Sequence, residues 1–292
     1  MNKQTQTRGK TIFYQKMIGL AAMVIDHVGE FIPGMPVWFR WIGRLAIPLF
    51  LFGIVEGVTH THDKKKYLMR LYLAGVVMAL VKALTGVSNN IFQTFFVTAC
   101  FLCILDTGKD KSWRIKWSLY FWLWQISSYL LIMVACTFFG INTVTTNLMP
   151  MLLGSVAFSE GGLYILIEGL VFYYCRGDKK KLAISYPVWI GIFAMVNLTS
   201  VVPMTLNWIE STFANGVVIA ANIETFLLSC MPSFHPLIVG RDPFRQNYQW
   251  MRICALPILL QYNGEKGKSM KWFFYAFYVG HIVLLWWIGS LL

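Results

Sequence analysis

Three side chains with acid–base chemistry lie inside apolar runs near the start of the chain. Asp26 and His27 are adjacent in MVIDHVGEF, and Arg44 follows in RWIGRLAIPLF. Charge at membrane depth is rare and marks function by default. A histidine is near-neutral in pKa and can take a proton from an attacking hydroxyl or amine. Adjacent residues on a helix point about 100° apart. Asp26 can therefore pair with Arg44 while His27 faces elsewhere, and such a pair lowers the penalty of burying both charges. Two readings of that pair stay open: an orienting pair beside a base, or an ion pair that only fixes helix packing. His281, near the middle of WFFYAFYVGHIVLLWWIG, is a second candidate. It could serve catalysis, bind substrate, or be a packing histidine hydrogen-bonded to a neighbour.

Helix geometry sets these groups at one level. At 1.5 Å per residue, His27 lies about 21 Å from a helix start near residue 13, and Arg44 lies about 21 Å from a helix end near residue 58. A tight link with Pro33, Gly34 and Pro36 makes the two helices neighbours. The acid, the imidazole and the guanidinium are expected to meet in the outer half of the bilayer. Further candidates for buried polar groups are Glu56, which could meet water or pair with Arg70, and Glu168 and Glu224, which could line a polar cavity. His60 and His62 are expected in water. His235 lies in a Pro-flanked loop.

The elements that must position these groups are membrane helices. The chain has 292 residues, 57% apolar and 13% charged, where an ordinary globular domain is about 25% charged. Surface-to-volume scaling prevents a soluble fold from hiding so much apolar surface. We expect a single all-α polytopic transmembrane bundle over 1–292 with about 9–10 spans of about 20 residues each. The spans fall near 12–32, 38–58, 67–86, 90–106, 115–139, 148–175, 182–203, 209–230 and 270–291. The 148–175 run is interrupted by Ser159-Glu160-Gly161-Gly162. The first apolar run is too long for a signal-peptide core and reads as a retained span.

The net charge of +12 comes in bursts between apolar runs: Lys3/Arg8/Lys10/Lys16, Lys64/Lys65/Lys66/Arg70, Lys109/Lys111/Arg114/Lys116 and Arg176/Lys179/Lys180/Lys181. Every second loop carries one, and the loops between (87–90, 140–147) carry none, which places the N-terminus in the cytoplasm. Arg241, Arg245, Lys266, Lys268 and Lys271 also read as cytoplasmic. The short run 249–262 would then lie at the interface or re-enter, whereas a true crossing there would make ten. Nucleic-acid signatures are absent, so the basic residues imply a lipid bilayer as partner and no nucleic acid. Cys100 and Cys103 are spaced C-x-x-C, but no second pair or nearby histidine accompanies them. They read as packing residues, and no metal is expected.

The segments KMIGLAAMVIDHVGEF (16–31), RWIGRLAIPLFLFGIVEGVTHTHDKKKYLMRL (40–71) and LPILLQYNGEKGKSMKWFFYAFYVGHIVLL (256–285) resemble the TraX family. The motifs that carry the resemblance are I-D-H-V-G (25–29), G-R-L-A-I-P-L-F (43–50), Y-L-M-R-L (67–71) and Y-N-G-E-K-G (262–267); the middle third is similar only in hydropathy. The chain departs from the family at Val279-Gly280, where the family usually has Pro, so a bend before His281 does not carry over. The family takes its name from a conjugation protein that acetylates the N-terminal amine of pilin. The resemblance implies a multi-pass protein of the bacterial cell membrane that moves an acyl group from acetyl-CoA or another acyl-CoA to a protein, peptide or surface-polymer acceptor. Lys16, ten residues, then His27 is also similar to a basic-x10-His pattern in membrane acyltransferases of surface glycans.

Three functions follow as expectations. In a membrane acyltransferase, Lys16, Lys66 and Arg70 would meet the phosphates of the acyl donor. His27 would be the base, oriented by Asp26 or Arg44, and Arg44 would face the developing oxyanion. In a transporter or flippase, Asp26, Arg44, Glu168 and His281 would line a proton-relaying path, although the internal repeat common in such proteins is not visible. The third reading is a non-catalytic membrane assembly factor.

Overall fold

The structure, a computed structural model, describes residues 9–87, 89–231 and 242–292. Lys3, Arg8, Ser88, His235 and Arg241 lie outside these residues, as does the side chain of Lys271. In chain order the helices are α1 (Ile12–Phe31), α2 (Trp38–Gly43), α3 (Ala46–His60), α4 (Lys64–Thr85), α5 (Ile91–Leu105) and α6 (Lys111–Phe139). They continue as α7 (Met149–Leu153), α8 (Gly162–Tyr174), α9 (Lys179–Leu198), α10 (Val201–Thr212), α11 (Gly216–Cys230), α12 (Leu256–Leu260) and α13 (Lys271–Leu291). A π-helical turn, Val144–Leu148, precedes α7, and a 3-10 helix, Tyr248–Ala255, precedes α12. The fold is all-α, with one isolated bridge between Lys10 and Tyr262 among the described residues. Among the described residues, five helices are long and apolar enough to cross a membrane: Trp38–His60, Lys64–Thr85, Lys111–Phe139, Lys179–Leu198 and Trp272–Leu291. α1 has 20 residues, but Lys16, Asp26 and Glu30 interrupt its apolar character.

The chain forms two compact units: Met1–Gly53, Val171–Gly191 and Tyr248–Leu292; and Ile54–Leu170 with Ile192–Asn247. In the first unit, the loop carrying Y-N-G-E-K-G caps the start of α1. Ile12 and Phe13 donate their backbone N–H groups to the carbonyls of Glu265 (2.9 Å) and Lys266 (3.1 Å), and Thr11 Oγ1 accepts from Tyr14 N. These are orphan donors of a helix start, and they must find partners somewhere. Gly267 closes the loop against Thr11 at φ 70, a left-handed conformation that favours glycine. The expected span 38–58 is jointed at Arg44–Leu45. Pro48 has no N–H to give the Arg44 carbonyl and crowds it. The backbone there tightens to Arg44 N→Trp41 O and Leu45 N→Ile42 O, both 3.1 Å.

The ambiguous run 249–262 forms a 3-10 helix followed by the short α12. At its start Gln249 meets Arg44 (3.3 Å), and at its end Lys10 N donates to Gln261 O (2.7 Å). Arg44 lies level with Asp26 near the end of α1 and Lys10 lies just before its start, so the segment runs the length of α1. Pro257 prevents a regular helix from starting earlier than Leu256. In the second unit Asn247 donates to the Asn197 carbonyl (3.2 Å) at the last turn of α9, two residues from Arg245.

In the second unit, Val97, Phe101, Phe121, Val156 and Leu166 form a hydrophobic core. The expected interruption of 148–175 is present as non-helical backbone between α7 and α8, which is tolerated at membrane depth only where protein groups satisfy it. Gln93 Nε2 donates to Ser155 O (3.0 Å), and Gln125 Nε2 to Gly154 O (3.1 Å). Gln125 Oε1 accepts from Val156 N (2.7 Å). The expected span 209–230 is also corrected: a turn at 213–215 divides it into α10 and α11, and Gly216 packs directly on the Ile209 and Glu210 backbone where no Cβ would fit.

Candidate active site

The site is built on α1, α2 and α13 of the first unit. Asp26 and Glu30 lie one turn apart on α1, and Arg40 and Arg44 lie one turn apart on the facing chain. This (i, i+4) spacing puts each pair on one helix face. Arg44 Nη2 donates to both oxygens of Asp26, at 2.8 Å each. Its Nε donates to the Arg40 carbonyl (3.0 Å), and its Nη1 to Gln249 Oε1 (3.3 Å). Arg40 Nη1 lies 3.1 Å from Asp26 Oδ1 and donates to the Asp26 carbonyl (2.9 Å) and to Glu30 Oε2 (2.8 Å). The Tyr248 ring stacks under Arg44, 5.3 Å from the guanidinium. Gly43 allows this approach, because a Cβ there would overlap the Asp26 side chain.

The expected meeting of Asp26 and Arg44 is thus present. His27 meets the other predicted histidine: its Nδ1 lies 2.7 Å from Nε2 of His281, with the rings stacked at 4.9 Å. Both imidazoles are buried. Hydrogen-bond chemistry fixes the proton positions of the neutral pair. His281 Nδ1 is 2.8 Å from the Phe277 carbonyl oxygen, which can only accept. His281 Nδ1 therefore carries the proton and Nε2 the lone pair. His27 must then donate from Nδ1, which leaves the lone pair of His27 on Nε2. This is the arrangement of a base oriented by a third group. His281 thus holds the Nδ1 side of His27, a partner beyond the expected Asp26 and Arg44, while Asp26 and Glu30 each bring a carboxylate oxygen within 4.8 Å of a His27 ring nitrogen. α13 reaches the histidine contact as an uninterrupted helix through Val279-Gly280.

Asp26, His27 and Glu30 also bring three ligand-type atoms within 4.8 Å of one another. Both carboxylates are already engaged by guanidinium groups, and a metal ion would sit beside two fixed positive charges.

The candidate donor-binding residues are distributed over both units. Lys16 runs beneath Gly53, with Nζ 5.9 Å from the Phe274 ring centre. Among the described residues it has no ion-pair partner, which suits an anion. Lys66 is exposed and paired with Asp63 (3.2 Å). Arg70 packs over Tyr67 (5.9 Å), and its Nε is buried without a hydrogen-bond partner. Lys64 is committed to Asp106 (2.9 Å). Glu56 is buried, 3.4 Å from His60, and Glu168 is fully buried. Glu224 is corrected: it lies exposed on α11, because the short α10–α11 hairpin turns that face away from the unit.

The pattern of the family described as TraX protein matches residues 14–289. The chain belongs to the TraX family. A relative from Dichelobacter nodosus, named "Probable fimbrial assembly protein FimC, serogroup H1", is 23% identical over 282 residues, covering 94% of this chain and 93% of the relative. No solved structure matches the chain. Membership in TraX accords with a membrane protein whose apolar helices carry the site. Sequence reasoning missed Arg40, Glu30, Tyr248 and Gln249. The first two were visible as a matched pair of (i, i+4) spacings, Asp26/Glu30 against Arg40/Arg44. The last two had no local signal, since some 200 residues separate them from Arg44.

Proposed function

We propose that this TraX-family protein is a multi-pass acyltransferase of the bacterial cell membrane. It would transfer an acyl group from acetyl-CoA or a related acyl-CoA to an amine or hydroxyl of a protein, peptide or surface-polymer acceptor. The observation that carries this reading is the buried His27–His281–Phe277 chain, which holds the lone pair of His27 at Nε2. As the acceptor N–H or O–H attacks the thioester carbonyl, Nε2 takes its proton. The new C–N or C–O bond forms and the C–S bond breaks. The proton on His27 then passes to the departing thiolate, so the free thiol of the carrier leaves and the neutral pair is restored. Arg44 has five N–H donors. Its four hydrogen bonds to Asp26, Arg40 and Gln249 leave one N–H on Nη1, suited to the developing oxyanion. Lys16 is the residue of the first unit that would hold a phosphate.

The test is purified protein in detergent with labelled acetyl-CoA and cell-envelope acceptors. His27→Ala is expected to abolish transfer while leaving the thermal unfolding transition in place. Charge reversal at Lys16 should weaken donor binding without removing the fold. Undiminished transfer by His27→Ala would exclude the proposed base. A non-catalytic assembly role is the second reading, favoured by the name of the Dichelobacter relative. It predicts that fibre assembly survives His27→Ala.

A further inference from the structure

The α10–α11 hairpin presents a feature that the proposed reaction does not use. Residues 201–230 contain two acids, Glu210 and Glu224, and no Lys, Arg or His, in a chain of net charge +12. Both helices leave large apolar side chains uncovered, including Met204, Trp208, Val217 and Leu228. On α11, Val217, Ala221, Glu224 and Leu228 recur at three- and four-residue intervals. They form one exposed stripe with a carboxylate at its centre.

The depth of that carboxylate follows from its neighbours. Phe226, two residues on, packs edge-to-face on Tyr129 of α6, with ring centres 5.7 Å apart. Phe158 N donates to Ser229 O (2.6 Å), which ties the end of α11 to the break between α7 and α8. α6 has 29 residues and is about 43 Å long, and Tyr129 lies about 27 Å from its start. A helix of that length overshoots a hydrocarbon core of about 30 Å at both ends. Tyr129 is then about 6 Å from the middle, and Glu224 is close to the same level. Among the described residues Glu224 makes no hydrogen bond or ion pair. A carboxylate facing acyl chains at that depth is strongly unfavourable, so something must cover it.

We infer that the Val217–Glu224–Leu228 stripe docks a membrane-spanning helix of another protein that carries a basic side chain at the matching depth. Charge complementarity selects this occupant. A second copy of the chain, meeting this stripe across a two-fold axis, would set carboxylate against carboxylate.

The probe is a synthetic single-span Leu/Ala helix with one central Lys, compared with versions carrying Leu or Glu at that position. Each is reconstituted with the full chain in lipid vesicles, and association is read by fluorescence transfer. The Lys helix should associate roughly 3- to 30-fold more tightly than the Leu helix, the range of one interhelical polar contact in lipid. Glu224→Gln should erase the difference, while circular dichroism and thermal unfolding stay unchanged. Equal association of the Lys and Leu helices would overturn the proposal. So would unchanged preference in Glu224→Gln, or transfer between labelled copies of the chain that Glu224→Gln abolishes.

Discussion

Removing Asp26 would strand the buried Arg44 guanidinium and leave Arg40 with Glu30 as its carboxylate partner. Asp26→Asn is therefore expected to lower stability by about 3–5 kcal/mol, measured as a shifted unfolding transition in detergent. Replacing the pair together, Asp26→Leu with Arg44→Met, should recover much of that loss, because no charge is then left unpaired. If it does not, the pair does more than hold α1 against α2. His281 invites a different measurement. It touches His27 and not the reacting atoms, so it is a positioning residue in the proposed reaction. His281→Ala should lower kcat by roughly 10- to 100-fold with little change in KM, as when the group orienting a reactive imidazole is removed. His281→Gln, whose amide oxygen can accept from His27 Nδ1, should restore part of the rate. Equal losses in the two variants would show a packing role only.

Between elements, close approach is set by small residues, as is common where helices associate in lipid. Gly43 and Gly53 make a controlled comparison. A Cβ at Gly43 meets the Asp26 carboxyl, which two hydrogen bonds from Arg44 and an ion contact with Arg40 hold in place. A Cβ at Gly53 meets only Lys16 Cε, the far end of a flexible stem. Gly43→Ala should destabilise by about 1–3 kcal/mol and Gly53→Ala by clearly less; thermal unfolding of both variants checks this. At the start of α4, Asp63 accepts from Lys66 N (2.9 Å). That backbone bond, with the Lys66 side chain, holds its carboxyl below the usual range. A lowered carboxyl pKa means the cap is fully present above the ordinary carboxylate range and is lost as pH falls through the lowered value. Carboxyl titration by NMR should show that downward shift, and Asp63→Asn should remove the carboxyl-linked change in amide protection in the first turn of α4.

At the scale of the whole molecule, sidedness is testable with single cysteines in a background stripped of the native six. A cysteine at Ile141 should label from outside intact cells, and one at Lys109 only after permeabilisation. Arg245 decides between charge counting and structure: labelling from outside is expected, because its neighbour Asn247 is bonded at the lysine-poor end of α9. Labelling only from inside would refute the path of the 248–262 segment. Hydropathy and the period of basic clusters were enough to read the helices α1, α4, α5, α6 and α13 to within a few residues, since these features are properties of consecutive residues, whereas the expected 182–203 runs past the end of α9 at Leu198. The Asp26–Arg44 pair was legible for the same reason: the two residues sit at equal depth on helices joined by a tight link. The division of 209–230 was not legible, because a turn with an apolar Phe213 at its start leaves hydropathy nearly unchanged. What the sequence determined by itself was a helical membrane fold and the buried groups that need partners. Which partner each group found was decided only by tertiary structure. His27 and His281 are 254 positions apart, and their hydrogen bond depends on how α13 packs against α1, which no local pattern encodes.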